Sequence, residues 1–189
     1  MTGEHDYAIS ASRTVYNGYI NVVEDDVVMP DGQTSTRTYI RHMGVVAVVA
    51  LDDADRIALI RQYRHPVRRR LWEIPAGVRD VAGEPPEVTA ARELAEEADL
   101  TAGQLEPLLD VYPTPGCSDE RTLIYLARDL SEVPSESRHV RGEEEAELTL
   151  RWWDLDEAVK AVMSGEIVNG LCVSGVLAAA HHVKDGHSL

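Results

Sequence analysis

Runs of apolar and β-branched residues along the first half of the chain predict a succession of β-strands. Segments 19–29 and 33–41 flank a Pro-Asp-Gly turn and indicate two strands joined by that turn. Residues 45–51 are apolar almost without interruption, which is typical of a buried strand. The extended pattern resumes at 57–63 after an aspartate-rich turn, and a further short strand is predicted at 72–77.

The second half of the chain mixes helical and extended patterns. Apolar residues recur at helical spacing from Val88 to Ala98, and two prolines at 85 and 86 suit a helix start, so a helix is predicted over 86–98. The other predicted elements are strands at 105–111, 121–127 and 148–153, helices at 156–164 and 171–184, and a polar loop at 129–147. Strands mixed with a few helices predict a layered domain of the α/β or α+β class. Residues 1–43 are expected to form a small β subdomain.

Length and charge narrow the classes of function. The chain has 189 residues, which suits one ordinary domain with a small appendage, and 44% of them are hydrophobic, too many for a disordered chain. The formal net charge is −15, which argues against general binding to nucleic acid or to an anionic membrane surface. Acidic residues permit divalent-cation chemistry, although a solvated, self-repelling surface explains the same charge.

Cysteine usage and hydropathy exclude three further features. The two cysteines, Cys117 and Cys172, show no metal-binding spacing, so a thiolate metal site is not expected. The N-terminal decade is acidic and lacks the apolar core of a secretory signal. No apolar run is long enough to span a bilayer. A cytoplasmic location is the simplest expectation.

The run Arg92-Glu93-Leu94-Ala95-Glu96-Glu97 concentrates negative charge on the predicted helix. Glu93 and Glu97 are four residues apart and share a face, and Glu96 lies close to it. Like charges at this spacing oppose helix formation, as does the helix dipole near its C-terminal end. A bound divalent cation would reverse the sign of that cost, whereas the plain alternative is a solvated acidic face.

Together with Gly77 and Glu84 upstream, this run resembles the Nudix box. The seven-residue gap from Glu84 to Arg92 and the string from Arg92 to Glu97 match the family pattern. Six residues rather than five separate Gly77 from Glu84, an insertion that a loop absorbs at little cost. Asp99 stands where the box has glycine, at a position expected to end the helix with positive φ, at a cost on the order of 1 kcal/mol.

Other segments resemble the ADP-ribose pyrophosphatase branch of the Nudix family, in its actinobacterial form. They are the motifs Gln-Tyr-Arg-His-Pro at 62–66, Leu-Trp-Glu-Ile-Pro-Ala-Gly at 71–77, and the segments 115–120 and 143–150. The resemblance implies an α/β/α sandwich with a mixed β-sheet over 44–189, plus the β subdomain at 1–43. It further implies hydrolysis of ADP-ribose to AMP and ribose 5-phosphate by a homodimer that exchanges or packs its N-terminal subdomains across partners.

The resemblance also assigns catalytic roles. Glu93 and Glu97, with Glu96 and the carbonyl of Ala76, are implied ligands of Mg²⁺, with Mn²⁺ as an alternative. Arg92 is expected to orient or balance these acids, and Glu84 to ligate metal or brace the loop. Because a metal-bound carboxylate is a poor base, a separate general base is wanted, and it is placed at Glu145 by register with Trp152, or at Glu144.

Substrate contacts are predicted from two places. Five of the ten residues from 61 to 70 are arginines, and Arg64 is the candidate for diphosphate contact, with salt bridging as the alternative. Glu73 is a candidate for contact with the base or a ribose, or for a bracing ion pair. Ser118 and Glu120 are candidates for the terminal ribose, or for turn formation. Trp72 is expected in the core rather than against adenine.

Two alternatives to ADP-ribose hydrolysis stay open at this point. One is a Nudix hydrolase of another nucleoside diphosphate sugar or dinucleotide. The other is a non-catalytic Nudix-fold module that binds a nucleotide as a sensor. Loss of a box glutamate would favour the sensor, and none is lost here.

Overall fold

The computed structural model describes residues 7–142 and 147–185, which fall into two compact units. The first unit contains the described residues up to Met43 together with Thr114–Arg121, and the second contains Gly44–Pro113 and the described residues from Thr122 onwards. The division into domains 1–43 and 44–189 stays a prediction. In the structure, the segment Thr114–Arg121 belongs with the first unit.

The first unit is a three-stranded antiparallel sheet. Its strands, in the order β1-β2-β3, are β1 (Ile9–Asn17), β2 (Asn21–Val28) and β3 (Thr34–Arg41). The second and third strands and the turn between them were predicted, with Gly32 at φ 81° as the turn requires. Strand β1 was not predicted, because all nine of its residues are exposed and no buried face imposes an apolar period on them.

The segment Thr114–Arg121 is hydrogen-bonded to the end of β3. The Ile40 amide donates to the carbonyl of Cys117 at 2.8 Å, and the Asp119 amide donates to the carbonyl of Ile40 at 3.2 Å. The Asp119 carboxylate also accepts from the backbone amide of His42 at 2.6 Å. These bonds fix the segment that carries Ser118 and Glu120.

The second unit contains two sheets and three helices. One sheet has the order β7-β4-β9-β8 and the other β10-β5-β6, and the β4–β9 pair is parallel while the other pairs are antiparallel. The strands are β4 (Val45–Ala50), β5 (Arg56–Arg64), β6 (Arg69–Glu73), β7 (Ala76–Val78), β8 (Leu100–Val111), β9 (Thr122–Glu132) and β10 (Thr149–Asp154). The helices are α1 (Pro86–Ala98), α2 (Leu155–Ser164) and α3 (Gly170–Lys184).

Strand β4 lies between helices and is buried on both faces. On one face Val46 and Val48 share a cluster with Leu94 of α1, and on the other Val49 shares a cluster with Val176 of α3. This explains why the strand reads as an unbroken apolar run. The predicted α/β/α sandwich with a mixed sheet, in the α+β class, is confirmed.

Three boundaries differ from the predictions. The strand predicted at 72–77 is two strands, β6 and β7, because Pro75 has no amide to give to a ladder. Strand β9 continues to Glu132 and pairs there with the start of β8, so the loop predicted to begin at 129 was wrong. Strand β8 begins at Leu100 rather than at 105, and these extensions were missed because their few apolar residues, Leu100, Ala102 and Leu130, lie among polar ones. Within the described ranges, no helix is both long and apolar enough to cross a membrane.

Candidate active site

Helix α1 carries the acidic run and orients it by packing. The helix starts after Pro85, and its residues Leu94 and Ala98 are buried in the core. That packing also buries the neighbouring Glu93 and Glu97, which are 9% and 6% exposed. The helix ends at Asp99, whose φ of 55° confirms the predicted left-handed position.

The carboxylates of α1 are docked on the backbone of β7. A Cβ added at Gly77 would overlap the Glu93 carboxylate, so the absence of a side chain there gives that carboxylate its place. One residue earlier, the Ala76 amide donates to Oε2 of Glu97 at 2.7 Å. The short strand and the helix therefore form one acidic wall, with a carboxylate held at each of two successive residues of β7.

Arg92 balances four carboxylates around this wall. Its Nη1 lies 2.7 Å from Oε1 of Glu93 and 3.5 Å from Oε2 of Glu96, and its Nη2 lies 3.6 Å from Glu84 and 3.7 Å from Asp80. Burial lowers the pKa of Arg92, but attraction to Glu93, Glu96, Glu84 and Asp80 outweighs burial and raises the pKa above its ordinary value. The guanidinium therefore stays charged at every working pH.

Glu84 is held by a hydrogen bond as well as by Arg92. Its Oε2 accepts from the Thr89 hydroxyl at 2.7 Å. Sequence reasoning missed Thr89 and Asp80 as parts of this network. The one signal for Thr89 is its position three residues before Arg92 on the same helix. Asp80 lies in a loop, where no periodicity marks it.

The donor set suits a hard divalent cation. Glu93, Glu96 and Glu97 present oxygen ligands, and Glu93 and Glu96 lie within reach of the same guanidinium nitrogen. In the described part of the chain, no three acidic, histidine or cysteine side chains are arranged as a ready metal cluster. Glu93 and Glu96 contact Arg92, while Glu97 accepts from the Ala76 amide.

Arg64 and Glu73 pair with each other across β5 and β6. Nε of Arg64 donates to both carboxylate oxygens of Glu73, at 3.0 and 3.2 Å, and Nη2 donates to Oε2 at 2.7 Å. The Glu73 side chain is 4% exposed, whereas that of Arg64 is 42% exposed. Gln62 adds a 3.4 Å hydrogen bond to Oε2 of Glu73. Glu73 therefore fixes the orientation of a half-exposed guanidinium.

Two further arginines of the basic decade, Arg61 and Arg70, have separate partners. Arg61 lies over the Trp72 ring at 5.5 Å, and Arg70 forms an ion pair with Glu147. Trp72 packs edge-on against Trp153 at 5.3 Å and against the core, which confirms its predicted place. Arg61, Arg64 and Arg70 therefore face three different neighbours.

The remaining predicted site residues are Ser118, Glu120, Glu144 and Glu145. Ser118 and Glu120 belong to the first unit, where the Ser118 hydroxyl accepts from the Glu120 amide at 3.0 Å and so helps to form the turn. Glu145 and Glu144, the candidates for the general base, lie outside the described residues.

The chain is similar to known proteins along nearly its whole length. The NUDIX domain family matches residues 41–168. The chain is 47% identical over 184 residues to an ADP-ribose pyrophosphatase of Mycobacterium tuberculosis, covering 97% of this chain and 87% of the relative. It is 38% identical over 158 residues to an ADP-ribose pyrophosphatase of Bacillus subtilis, covering 83% of each. A crystal structure of an ADP compounds hydrolase superposes with a TM-score of 0.81 over 100% of both chains at 21% identity, a likeness of fold.

Proposed function

The chain belongs to the NUDIX family of hydrolases, and from that premise we propose that it cleaves the diphosphate of ADP-ribose to give AMP and ribose 5-phosphate. The observation that carries the proposal is the 47% identity, over 97% of the chain, to an ADP-ribose pyrophosphatase. The docking of the α1 carboxylates on β7 supports it, since that wall is what a metal-assisted hydrolase needs.

The proposed metal is Mg²⁺, with Mn²⁺ as an alternative, held by Glu93, Glu96, Glu97 and the carbonyl of Ala76. When bound, a divalent ion screens the charge of the diphosphate and acidifies an attacking water. The chain's own contribution is to hold the carboxylates in place. Gly77 makes room for Glu93, the Ala76 amide holds Glu97, and Arg92 keeps Glu93 and Glu96 from repelling each other.

A separate residue is needed to take the proton from water. Carboxylates engaged with metal have their lone pairs occupied, and an efficient base must lie within hydrogen-bond reach of the water. The proposal assigns this role to Glu145, with Glu144 as the alternative. Both precede β10 in the chain, in the segment 143–150 whose sequence resembles the ADP-ribose pyrophosphatase branch.

Arg64 is proposed to contact the diphosphate, and Glu73 to hold Arg64 for that contact. Three hydrogen bonds from one guanidinium to one buried carboxylate restrict its rotation, so little side-chain entropy remains to be lost when an anion binds. Direct contact of Glu73, Ser118 and Glu120 with the ribose or base belongs to the same proposal.

A homodimer that pairs through the N-terminal strands is part of the proposal. Strand β1 is an exposed edge strand, and Ile9, Val15 and Tyr16 on it are 59%, 49% and 55% exposed. Exposed apolar edges of this kind invite pairing with another chain. The proposal includes a cytoplasmic location and no nucleic-acid or membrane partner.

A substrate panel tests the function. The protein is incubated with Mg²⁺ and, separately, ADP-ribose, GDP-mannose, UDP-glucose, NADH and nucleoside triphosphates, and released phosphomonoester is measured. ADP-ribose is expected to be the best substrate. Cleavage of another diphosphate alone would overturn the proposed substrate, and no turnover anywhere would favour a sensor.

Variants of α1 test whether the measured activity depends on the proposed metal ligands. Glu93→Gln and Glu97→Gln should each lower kcat by about 100-fold or more, because they remove metal ligands. The control is Glu87→Gln, on the exposed first turn of the same helix, which should leave kcat unchanged.

A further inference from the structure

Two exposed arginines on the β10-β5-β6 sheet are stacked on tryptophan rings. The Arg61 guanidinium lies 5.5 Å from the centre of the Trp72 ring, and the Arg151 guanidinium lies 4.1 Å from the centre of the Trp153 ring. The two indoles meet edge-on, with their centres 5.3 Å apart. The four side chains therefore form one chain of contacts across the three strands, with an arginine at each end.

The register of the strands puts both arginines on one face of this sheet. Arg151 lies opposite Leu59, two residues before Arg61 on β5, so the two arginines are diagonal neighbours with Cα atoms about 7–8 Å apart. Leu59 shares a core cluster with α3, whereas Ala58, on the other face, shares one with α1. Arg64 lies on the Ala58 side by the same alternation. The stacked arginines therefore lie on the face away from the proposed substrate arginine.

Neither stacked arginine has an acidic partner among the residues that the structure describes. A third arginine of the sheet shows the contrast. Arg56 lies 5.7 Å from the centre of the Trp152 ring, and its guanidinium also pairs with the Asp52 carboxylate at 2.6 Å. In a chain with 33 acidic and 18 basic residues, Arg61 and Arg151 keep a local positive charge that no neighbouring carboxylate offsets.

Stacking leaves the hydrogen-bonding edge of each guanidinium open. The indole contacts the flat face of the group and restricts its rotation, while the N–H donors lie in its plane. Two such forks on neighbouring strands suit the acceptor oxygens of a phosphate group, which arginine binds in a bidentate manner. Trp153 is only 4% exposed, so it offers no open ring on which a nucleobase could stack. These features favour a phosphate group over a base as the ligand.

We propose that Arg61 and Arg151 form an anion site for a phosphate group, on the face of the β10-β5-β6 sheet away from Arg64. The ligand is inorganic phosphate or a phosphomonoester. Both products of the proposed reaction, AMP and ribose 5-phosphate, are phosphomonoesters, so this second source rests on the proposed function. The net charge of −15 opposes long polyanions such as nucleic acid, whereas one phosphate group needs no more than the two local charges.

Phosphorus NMR of inorganic phosphate, AMP and ribose 5-phosphate tests the site. Each ligand is titrated with protein freed of metal by EDTA, so that no phosphate binds through Mg²⁺ at α1. The test variants are Arg61→Gln and Arg151→Gln, which keep a long side chain over the indole and remove the charge. Each should weaken binding about fivefold or more, and the double variant should show no detectable binding. The ligand that binds wild type most tightly identifies the source.

Two control variants separate this site from other positive charge. Lys160→Gln removes an exposed charge from α2, and Arg64→Gln removes the proposed substrate arginine. Both should keep the wild-type affinity for phosphate. Arg61→Lys should lose part of the affinity while it remains folded, since it keeps the charge without the planar fork. Melting temperatures are measured on every variant, so that affinities are compared among folded proteins.

Kinetics with ADP-ribose and Mg²⁺ distinguish this site from the active site. Arg61→Gln and Arg151→Gln should leave kcat and KM unchanged, because they lie on the other face of the sheet from Arg64. If wild type binds phosphate in EDTA but does not cleave ADP-ribose, the proposed function fails and the anion site stands. A loss of activity without a loss of phosphate binding in either variant would overturn the separation of the two sites.

Three further outcomes would overturn the proposal. One is the absence of binding of all three ligands to wild type, or equal binding to wild type and the double variant. Another is a loss of affinity as large in Lys160→Gln or Arg64→Gln as in the test variants, which would mean general attraction or binding at the proposed substrate arginine. The third is a lower sedimentation coefficient of the double variant, which would show that a second copy of the chain covers this face.

Discussion

The carboxylate of Glu93 lies against the backbone of Gly77, in the space that the Cβ of any other residue would take. Gly77 belongs to β7 and Glu93 to α1, so the contact joins two elements sixteen residues apart in sequence. The need for glycine at position 77 is therefore steric and does not come from its backbone φ angle. It lets the helix approach the strand closely enough for Glu97 to accept from the Ala76 amide.

Replacement of Gly77 by alanine should displace the Glu93 carboxylate and abolish most of the activity. The added Cβ meets the carboxylate itself, and Glu93 is buried, so the side chain has little room to retreat. We expect kcat/KM for ADP-ribose to fall by about 100-fold and stability to fall by about 1–3 kcal/mol. Steady-state kinetics and urea unfolding measure the two effects.

The matched control for that variant is Gly170→Ala. An added Cβ at Gly170, the first residue of α3, meets nothing within 4 Å. Its activity and unfolding should match wild type. Full activity in Gly77→Ala would contradict the assignment of Glu93 to the metal site.

Asp52, in the turn between β4 and β5, should make the free energy of unfolding depend on pH in the acidic range. Burial raises the pKa of Asp52, but hydrogen bonds from the backbone and side chain of Arg56 and the backbone of Ala54 outweigh burial and hold the pKa below its ordinary value of 3.8. A lowered folded-state pKa gives stability that is full above the unfolded pKa and lost as pH falls through the folded one.

Asp52→Asn should therefore lower the free energy of unfolding by about 1–2 kcal/mol at pH 7, and the difference from wild type should shrink below about pH 3.8. Urea unfolding at a series of pH values measures it. The control is Asp53→Asn at the exposed neighbouring residue, which should unfold as wild type does. A difference that grows in acid would contradict the sign of the argument.

Replacing Glu145 and Glu144 one at a time tests which of them is the general base. Glu145→Gln should lower kcat by about 100–10,000-fold while leaving the affinity for ADP-ribose nearly unchanged, because glutamine retains the shape but cannot take a proton. Glu144→Gln is the matched control and should lower kcat only slightly. The reverse outcome moves the role to Glu144. Calorimetric binding and single-turnover rates distinguish binding from chemistry.

Helix α1 and its ending could be predicted because their causes are local. Apolar spacing, Pro85-Pro86 and the position of Asp99 all lie within one segment, and the predicted bounds 86–98 were confirmed. The partners of its side chains could not be predicted. That Glu97 faces the Ala76 amide and Glu93 faces Gly77 depends on how α1 packs on β7, which no local pattern encodes.

The strands show the same division. The buried strand β4 was predicted because burial on both faces leaves an apolar run. Strand β1 was missed because all nine of its residues are exposed and need no alternation, and the end of β9 because Leu130 is the one apolar residue in 128–132. The pairing of these segments with β2 and β8 comes from residues distant in sequence. For Arg64 and Glu73 the sequence left two alternatives open, contact with substrate or an ion pair. It could not decide between them because it does not show on which face of the β5–β6 hairpin each side chain lies.

The proposed homodimer predicts a specific response to charge on β1. Val15→Glu places an acid on an exposed edge strand, where it should not disturb the isolated chain but would face its own copy across a two-fold interface. Sedimentation equilibrium at micromolar concentration should find a dimer for wild type and a shift toward monomer for Val15→Glu. The control is Met163→Glu, at a 76% exposed residue of α2, which should stay dimeric. A monomeric wild-type protein at this concentration would contradict the proposed homodimer.

The Arg64–Glu73 pair predicts a coupled loss of substrate binding. If Glu73 acts by holding Arg64 for the diphosphate, removal of either residue removes the same contact, so their effects should not add. Arg64→Ala and Glu73→Gln should each raise KM for ADP-ribose about tenfold, and the double variant should do no worse. Arg64→Lys should rescue little, because an ammonium lacks the fork that donates three hydrogen bonds to Glu73.

The exposed neighbour Arg69, which pairs with Arg64 in the β5–β6 register, supplies the control. Arg69→Ala removes a positive charge beside the pair without touching Glu73, so it should change KM little if orientation matters more than net charge. Two outcomes contradict the argument. A KM that rises equally in Arg69→Ala assigns the effect to general electrostatic attraction. An unchanged KM with a lower melting temperature in both pair variants leaves Arg64 and Glu73 as a bracing ion pair, whose buried carboxylate needs its partner for stability alone.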